Sequence, residues 1–303
     1  MNEPLTDRKA PRRWVSLVYA ACLILLAIPA IQPLLSADLT CGYDNAFHLW
    51  RAVQMGQSLR QGDLLPQWAP EMAGGYGLPL FIFAPPLTPY LVALLNWLGL
   101  SWSVAFNCVT LLGMLAGAAG MVLLARELFG AEAGLLAGVA YLYAPFQAYD
   151  VFNRGSLSEA FAWAFPPLIL WGLHRWMHAR QRRFLVLSAV SLALMVLTHY
   201  LFGFLFAPLL IAWVLLESLL VRDWRLAGRG ALVAVFGLGL SAYFWLPALA
   251  ERTWVQTDRL LGTWVFDYHF NFLDLQELFS LPRVLDPSLL NDWPPKALGL
   301  LPA

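Results

Sequence analysis

The chain has 303 residues, 60% apolar and 13% charged, with mean hydropathy +0.62. Soluble domains are about half apolar and a quarter charged, so the balance excludes a soluble enzyme and implies a multi-spanning membrane protein. Nineteen Lys and Arg against nineteen Asp and Glu give zero net charge, and bulk basicity offers no reason to expect a nucleic-acid partner. Three cysteines exclude a disulfide framework; Cys22 and Cys108 lie in apolar runs, leaving Cys41 with the setting of a reactive thiol.

Residues 1–13 form a basic N-terminus. The first apolar run, Trp14 to Leu35, follows Arg12 and Arg13 and is long enough to cross a hydrocarbon core of roughly 30 Å. Ala30 and Ser36 imitate a cleavage site, but the run exceeds a signal-peptide core, and Pro29 and Pro33 suit a kinked, retained anchor. Further spans are predicted at Ser103 to Leu124, Ala133 to Tyr149, Ser158 to Leu173, Phe184 to Thr198, Phe202 to Leu220 and Gly230 to Leu249. Thr88 to Leu100, led by Pro85 and Pro86, is shorter than a span. Treating it as an interfacial or re-entrant helix puts 12 of the 19 Lys and Arg in short cytoplasmic loops; counting it as a span leaves only 9 inside. The prediction is an all-α polytopic helical membrane protein with about seven transmembrane helices and a cytoplasmic N-terminus. Its transmembrane domain runs over 14–249, with a long first extracytoplasmic loop, 36–102, carrying interfacial helices. Residues 250–303 have a local net charge of −3 and read as the start of another outer segment.

On this topology the groups that chemistry needs gather at the outer face. In DNAFHLWRAVQMGQSLR, Asp44, His48 and Arg51 stand at i, i+4 and i+7, one polar stripe on a helix at the membrane surface. They suit a general base, an orienting group and a phosphate contact; they equally suit charges pairing along a solvated face. The stretch 66–86 is rich in Gly, Pro and aromatic residues, a composition for packing and membrane anchoring. AYDVFNRGSLSEAF supplies Asp150, Arg154 and Glu159. Ionisable residues at membrane level point to function, yet Ser156 and Glu159 have capping-box spacing. Arg154 has no such local role and is shaped to hold a phosphate. His199, between two spans in VLTHYLFG, fits either a ligand contact or a backbone hydrogen bond. His174 and His178 have the i, i+4 spacing of a metal pair, but with no carboxylate near in sequence they read as part of a cationic flank.

One span, a long outer loop opening with an acid on an interfacial helix, a Pro-Pro-led apolar helix and span pairs separated by ARELFG resemble the C-type membrane glycosyltransferases. Within that superfamily, YDNAFHLWRAVQMGQSLRQGDLLPQW, GGYGLPLFIFAPPLTPYLVALL, YAPFQAYDVFNRGSLSEAFA and LTHYLFG are similar to bacterial membrane proteins termed 6-pyruvoyl-tetrahydropterin synthase-related. The resemblance covers about 14–249. Soluble synthases of that name use a three-histidine zinc site, whereas the five histidines here are scattered over both membrane faces, so the pterin chemistry is set aside. The resemblance implies transfer of a sugar from a polyprenyl-phosphate-linked donor to an extracytoplasmic acceptor, in the cytoplasmic (inner) membrane, by inverting displacement. Carried over by position, Asp44 is the base; the residue patterns above add His48 as its catalytic companion and Arg51, Asp150, Arg154, Glu159 and His199 as substrate contacts. No cofactor is implied; Asn45 stands where many relatives have a second acid, and a divalent metal stays an open question. Ala84 stands where many relatives place a basic residue before the Pro-Pro pair, so Arg51 or Arg154 must take the lipid phosphate. Such relatives continue with more spans, which implies that this chain is a fragment. A non-catalytic protein binding lipid-linked glycans shares these features; a transporter calls for ionisable groups at mid-span, and only Glu217 approaches that.

Overall fold

Peptide groups carried into hydrocarbon must bond within their own segment, and each apolar run does so as helix. The computed structural model describes residues 13–256 together with 267, 269, 272 and 274–278. Residues 1–12 of the basic N-terminus and most of the acidic segment 250–303, including Asp258, Asp286 and Asp292, lie outside the described residues. The protein is all-α: among the described residues the only β-type pairing is one bridge between Ala69 and Leu78.

Helix α1 (Arg13–Ile31) ends in a 3-10 turn over Gln32–Leu35 that takes up Pro33. The long loop folds as α2 (Asn45–Arg60), α3 (Leu80–Phe83) and α4 (Leu87–Trp97). Next come α5 (Trp102–Phe129), α6 (Ala131–Leu142), α7 (Pro145–Ala148) and a π-helical turn, Tyr149–Arg154. The chain continues as α8 (Leu157–Ala162), α9 (Phe165–Ala179), α10 (Arg182–Thr198), α11 (Tyr200–Val221), α12 (Arg225–Leu240) and α13 (Ala242–Ala250). These helices coincide with the expected apolar runs, but prolines and small residues interrupt three of them. α6 stops at Leu142 rather than reaching Tyr149, because Ala144 precedes Pro145 and is extended. The run from Ser158 divides between α8 and α9 just ahead of Pro166 and Pro167. The expected straight span over 230–249 is α12 and α13 meeting at a 70° bend. At that bend the Ser241 hydroxyl donates to the carbonyls of Gly237 and Leu238, the kind of Gly and Ser composition that kinks helices. By length and composition α5 and α11 are each sufficient to cross a membrane, and the bent pair qualifies when taken together.

α5 lies between α6 and the α8–α9 pair, and α10 lies between α9 and α12. Gly113 and Gly117 let α5 approach closely: a Cβ on Gly113 would sit 2.8 Å from the Cα of Phe161, as in small-residue helix interfaces. The apolar core runs through Val92, Phe106, Phe165, Ile169 and Met195, joining α4, α5, α9 and α10. Short connections then sort the molecule into two ends. The loop end holds α2 to α4, the π turn and the α10–α11 junction; the opposite end holds Arg175, Arg180, Arg182, Arg222, Arg225 and Arg229. At that arginine-rich end the histidine pair differs from expectation: Glu217 of α11 accepts hydrogen bonds from both His174 (2.8 Å) and His178 (2.9 Å). Its position in sequence, some 40 residues downstream, hid it.

Candidate functional site

The π turn is a widened helical coil of the kind often found at functional sites, and here it aims Asp150 and Arg154 toward the loop helices. Gly42 lies directly on Gly155, where a Cβ would meet the Gly155 Cα at 2.6 Å. Gly155 is itself left-handed, with φ 71°. Across this contact the amide of Tyr43 donates to the Asn153 carbonyl (3.3 Å) and that of Asp44 to the Arg154 carbonyl (2.8 Å). Backbone pairing thus brings Asp44, at the head of α2, beside Arg154, 110 residues later.

Arg154 is the hub. Its Nε lies 3.3 Å from Asp44 Oδ2, and its Nη1 lies 3.4 Å from Asp150 Oδ1 and 2.5 Å from Glu159 Oε2. Desolvation works against the Arg154 charge, but Glu159, Asp150 and Asp44 outweigh it and its pKa is raised. Asp150 is fully buried and its Oδ2 has no partner. Burial, then the Glu159 charge, pushes its carboxyl up to about 8, so it is largely protonated at neutral pH. The capping box expected of Ser156 and Glu159 does not form: Ser156 makes no side-chain cap bond, and Glu159 is taken by the stronger charge-assisted bond to Arg154.

The stripe on α2 is not a solvated face. His48 and Arg51 are buried at 8% and 5% exposure, while Phe47 and Trp50 face outward. Arg51 donates from Nη2 to the Pro85 carbonyl (2.9 Å), and its Nη1 lies 3.4 Å from His48 Nδ1. Its Nε is buried without a partner, and among the described residues no carboxylate forms an ion pair with it. Burial lowers Arg51 only to about 10, so it stays charged; burial, then the Arg51 charge, lowers His48 to about 3, so it stays neutral. With Asp150 protonated, Arg154 is balanced by two carboxylates and Arg51 is the uncompensated cation. His199 makes the backbone hydrogen bond: its Nδ1 accepts from the Phe202 amide, capping α11, while its Nε2 lies 3.9 Å from Glu159. Burial lowers its pKa, against the raising effect of Glu159.

Asp44, His48, Arg51, Arg154 and His199 line one cavity of about 250 Å³. Beside it runs an apolar groove of about 520 Å³ between α5, α9 and α11, walled by Met121, Trp163, Phe202 and Phe206. The Arg154–Glu159 pair spans the boundary, since Arg154 lines the cavity and Glu159 the groove. Sequence inspection missed Ser158 and Thr198, which also line the cavity, and Thr88, which meets Ser158 at 2.8 Å. Hydroxyls in apolar helices carry no periodic signal that would have singled them out.

The sequence profile of the 6-pyruvoyl-tetrahydropterin synthase-related domain, a membrane-protein family, matches residues 81–273. The chain belongs to this family. A Lactococcus lactis protein described only as uncharacterized is 23% identical over 236 residues, which cover 75% of this chain and 38% of that protein. Two crystal structures of ArnT from Cupriavidus metallidurans share the fold. The form bound to undecaprenyl phosphate superposes with TM-score 0.55 at 18% identity, covering 89% of this chain and 46% of ArnT. The apo form gives 0.56 at 18%, covering 90% and 46%. The chain therefore spans less than half the length of these relatives, and this family member shares the fold of that part of ArnT. Among the described residues the only set of three or more grouped metal-ligand side chains is His174, His178 and Glu217, at the end away from the cavity.

Proposed function

We propose that this protein is a glycosyltransferase-like protein of the cytoplasmic membrane, moving a sugar from a polyprenyl phosphate to an extracytoplasmic acceptor. The observation that carries the proposal is Arg51, a buried guanidinium with an unbonded Nε and, among the described residues, no carboxylate ion pair, in a cavity that it shares with Asp44 and that adjoins an apolar groove. Its bond to the Pro85 carbonyl brings a cation next to the Pro-Pro pair, in space where the sequence has Ala84. ArnT bound to undecaprenyl phosphate, on a shared fold, supports a polyprenyl lipid as occupant. In this scheme the isoprenoid chain lies in the groove and the phosphate meets Arg51, with neutral His48 orienting the guanidinium.

Asp44, a third exposed and lining the cavity, accepts the proton of an acceptor hydroxyl. The freed oxygen attacks the anomeric carbon, the bond from that carbon to the phosphate oxygen breaks, and the polyprenyl phosphate leaves with the bonding pair. Arg51 stabilises the charge that collects on the phosphate. The membrane orientation follows the arginine count, with the cavity outside and the arginine-rich end in the cytoplasm.

A second reading, a non-catalytic binder of lipid-linked glycans, is favoured by the ion pair that already engages Asp44 with Arg154. Asp44→Asn separates the two. Purified protein is incubated with radiolabelled polyprenyl-phosphate sugars and an acceptor panel: transfer by the wild type, absent in the variant with lipid binding kept, supports the enzyme. Lipid binding without transfer in both supports the binder, and binding by neither refutes both.

A further inference from the structure

We propose that His174, His178 and Glu217 form a divalent transition-metal site, of zinc-type chemistry, joining α9 to α11 at the arginine-rich end of the bundle. The site is separate from the cavity and does not depend on the transfer reading. His174 and His178 stand one turn apart on α9 with ring centroids 4.6 Å apart. They present different nitrogens, Nδ1 of His174 and Nε2 of His178, to the two oxygens of one carboxylate. Three potential ligand atoms, one per residue, thus lie within 4.8 Å of one another. Tetrahedral zinc at bond lengths of about 2.0–2.2 Å places its ligands roughly 3.3 Å apart, so closure onto an ion requires side-chain shifts on the order of 1 Å. Two imidazoles and one carboxylate leave the fourth position to water, a donor set that zinc favours over magnesium or calcium.

Placement of Glu217 supports a role beyond local pairing. It is the one Asp, Glu, Lys or Arg in α11, a helix long and apolar enough to cross a membrane; ionisable groups in such helices are costly and functional by default. Arg175, Arg180, Arg182, Arg222, Arg225 and Arg229 populate this end of the bundle, yet the ion-pair partners of Glu217 among the described residues are the two histidines. The nearby Arg175 is instead paired with Glu127 at 3.2 Å, and Arg229 donates to the Met177 carbonyl, so two of the cations that would oppose a bound metal are engaged elsewhere.

The test uses the purified full chain, stripped with chelator and titrated with Zn²⁺ and with Co²⁺. The expected result is one saturable ion at this site per chain, a Co²⁺ visible spectrum of four-coordinate type, and a thermal midpoint that Zn²⁺ raises. His178→Gln, at a side chain 38% exposed and tolerant of change, should lose at least tenfold in affinity and all of the Zn²⁺ stabilisation. Glu217→Gln should lose it equally while keeping a hydrogen-bonding amide, which separates metal ligation from plain hydrogen bonding. His178→Cys should retain the ion and add a thiolate-to-Co²⁺ charge-transfer band. No saturable binding by the wild type, or unchanged stoichiometry and affinity in His178→Gln, overturns the proposal.

Discussion

Asp150 titrates against the usual direction for an acid, and the consequence is measurable. Its carboxyl is fully buried with one oxygen unpartnered, and burial, followed by the Glu159 charge, pushes it from 3.8 up to about 8. Between those values the folded chain holds a proton that the unfolded chain has released. Stability is therefore fully present below the unfolded pKa and is lost as pH rises toward the folded one. The slope is about 1.4 kcal/mol per pH unit, so from about pH 6.5 to about pH 8 the wild type loses on the order of 2 kcal/mol. For a chain of this size that is roughly 4–8 °C in thermal midpoint. His48 works in the opposite sense and lower down: with its pKa lowered from 6.5 to about 3, its contribution is present above 6.5 and lost as pH falls. His199, also lowered by burial, acts in the same sense as His48, so a fall in stability above pH 6.5 is the signature of Asp150. Asp150→Asn keeps the shape and removes the titration. Thermal unfolding of both proteins in detergent across this window should show a falling wild type and a flat variant that is the more stable of the two at pH 8. Parallel profiles, or a variant less stable throughout, would refute a neutral buried acid at this position.

Arg51→Gln should weaken polyprenyl-phosphate binding by about 10- to 100-fold, the worth of a charge-assisted hydrogen bond, with membrane insertion intact; unchanged lipid affinity in a binding titration removes Arg51 as the phosphate contact. Gly42→Ala forces a Cβ to 2.6 Å from Gly155 and opens the pairing of 43–44 with 153–154, costing about 1–3 kcal/mol, read as a lower thermal midpoint; an unshifted midpoint contradicts the close packing. Glu159→Gln should destabilise the protein, because the carboxylate holds Arg154 rather than a helix cap; a neutral outcome in the same assay restores the cap. With single cysteines and an impermeant reagent applied from outside, position 44 should label and position 182 should not. The reverse pattern inverts the proposed orientation.

Apolar run length was enough to determine that this chain is helical and membrane-embedded, because lipid leaves the backbone no alternative within one segment. It was also enough to mark Thr88 to Leu100 as a short apolar helix and to bring forward Asp44, Arg51, Arg154 and Glu159 as candidates, since charges are rare in such a composition. Three matters needed the tertiary structure. Helical spacing put Asp44, His48 and Arg51 on one stripe, but only packing turned His48 and Arg51 inward and the aromatic residues outward. Capping-box spacing was present at Ser156 and Glu159, yet a guanidinium delivered by the π turn outcompeted the local cap. Glu217 joined His174 and His178 across about 40 positions of chain. Sequence periodicity records which residues share a face of one helix; which face meets which, and so which charges find partners, is decided when the helices pack together.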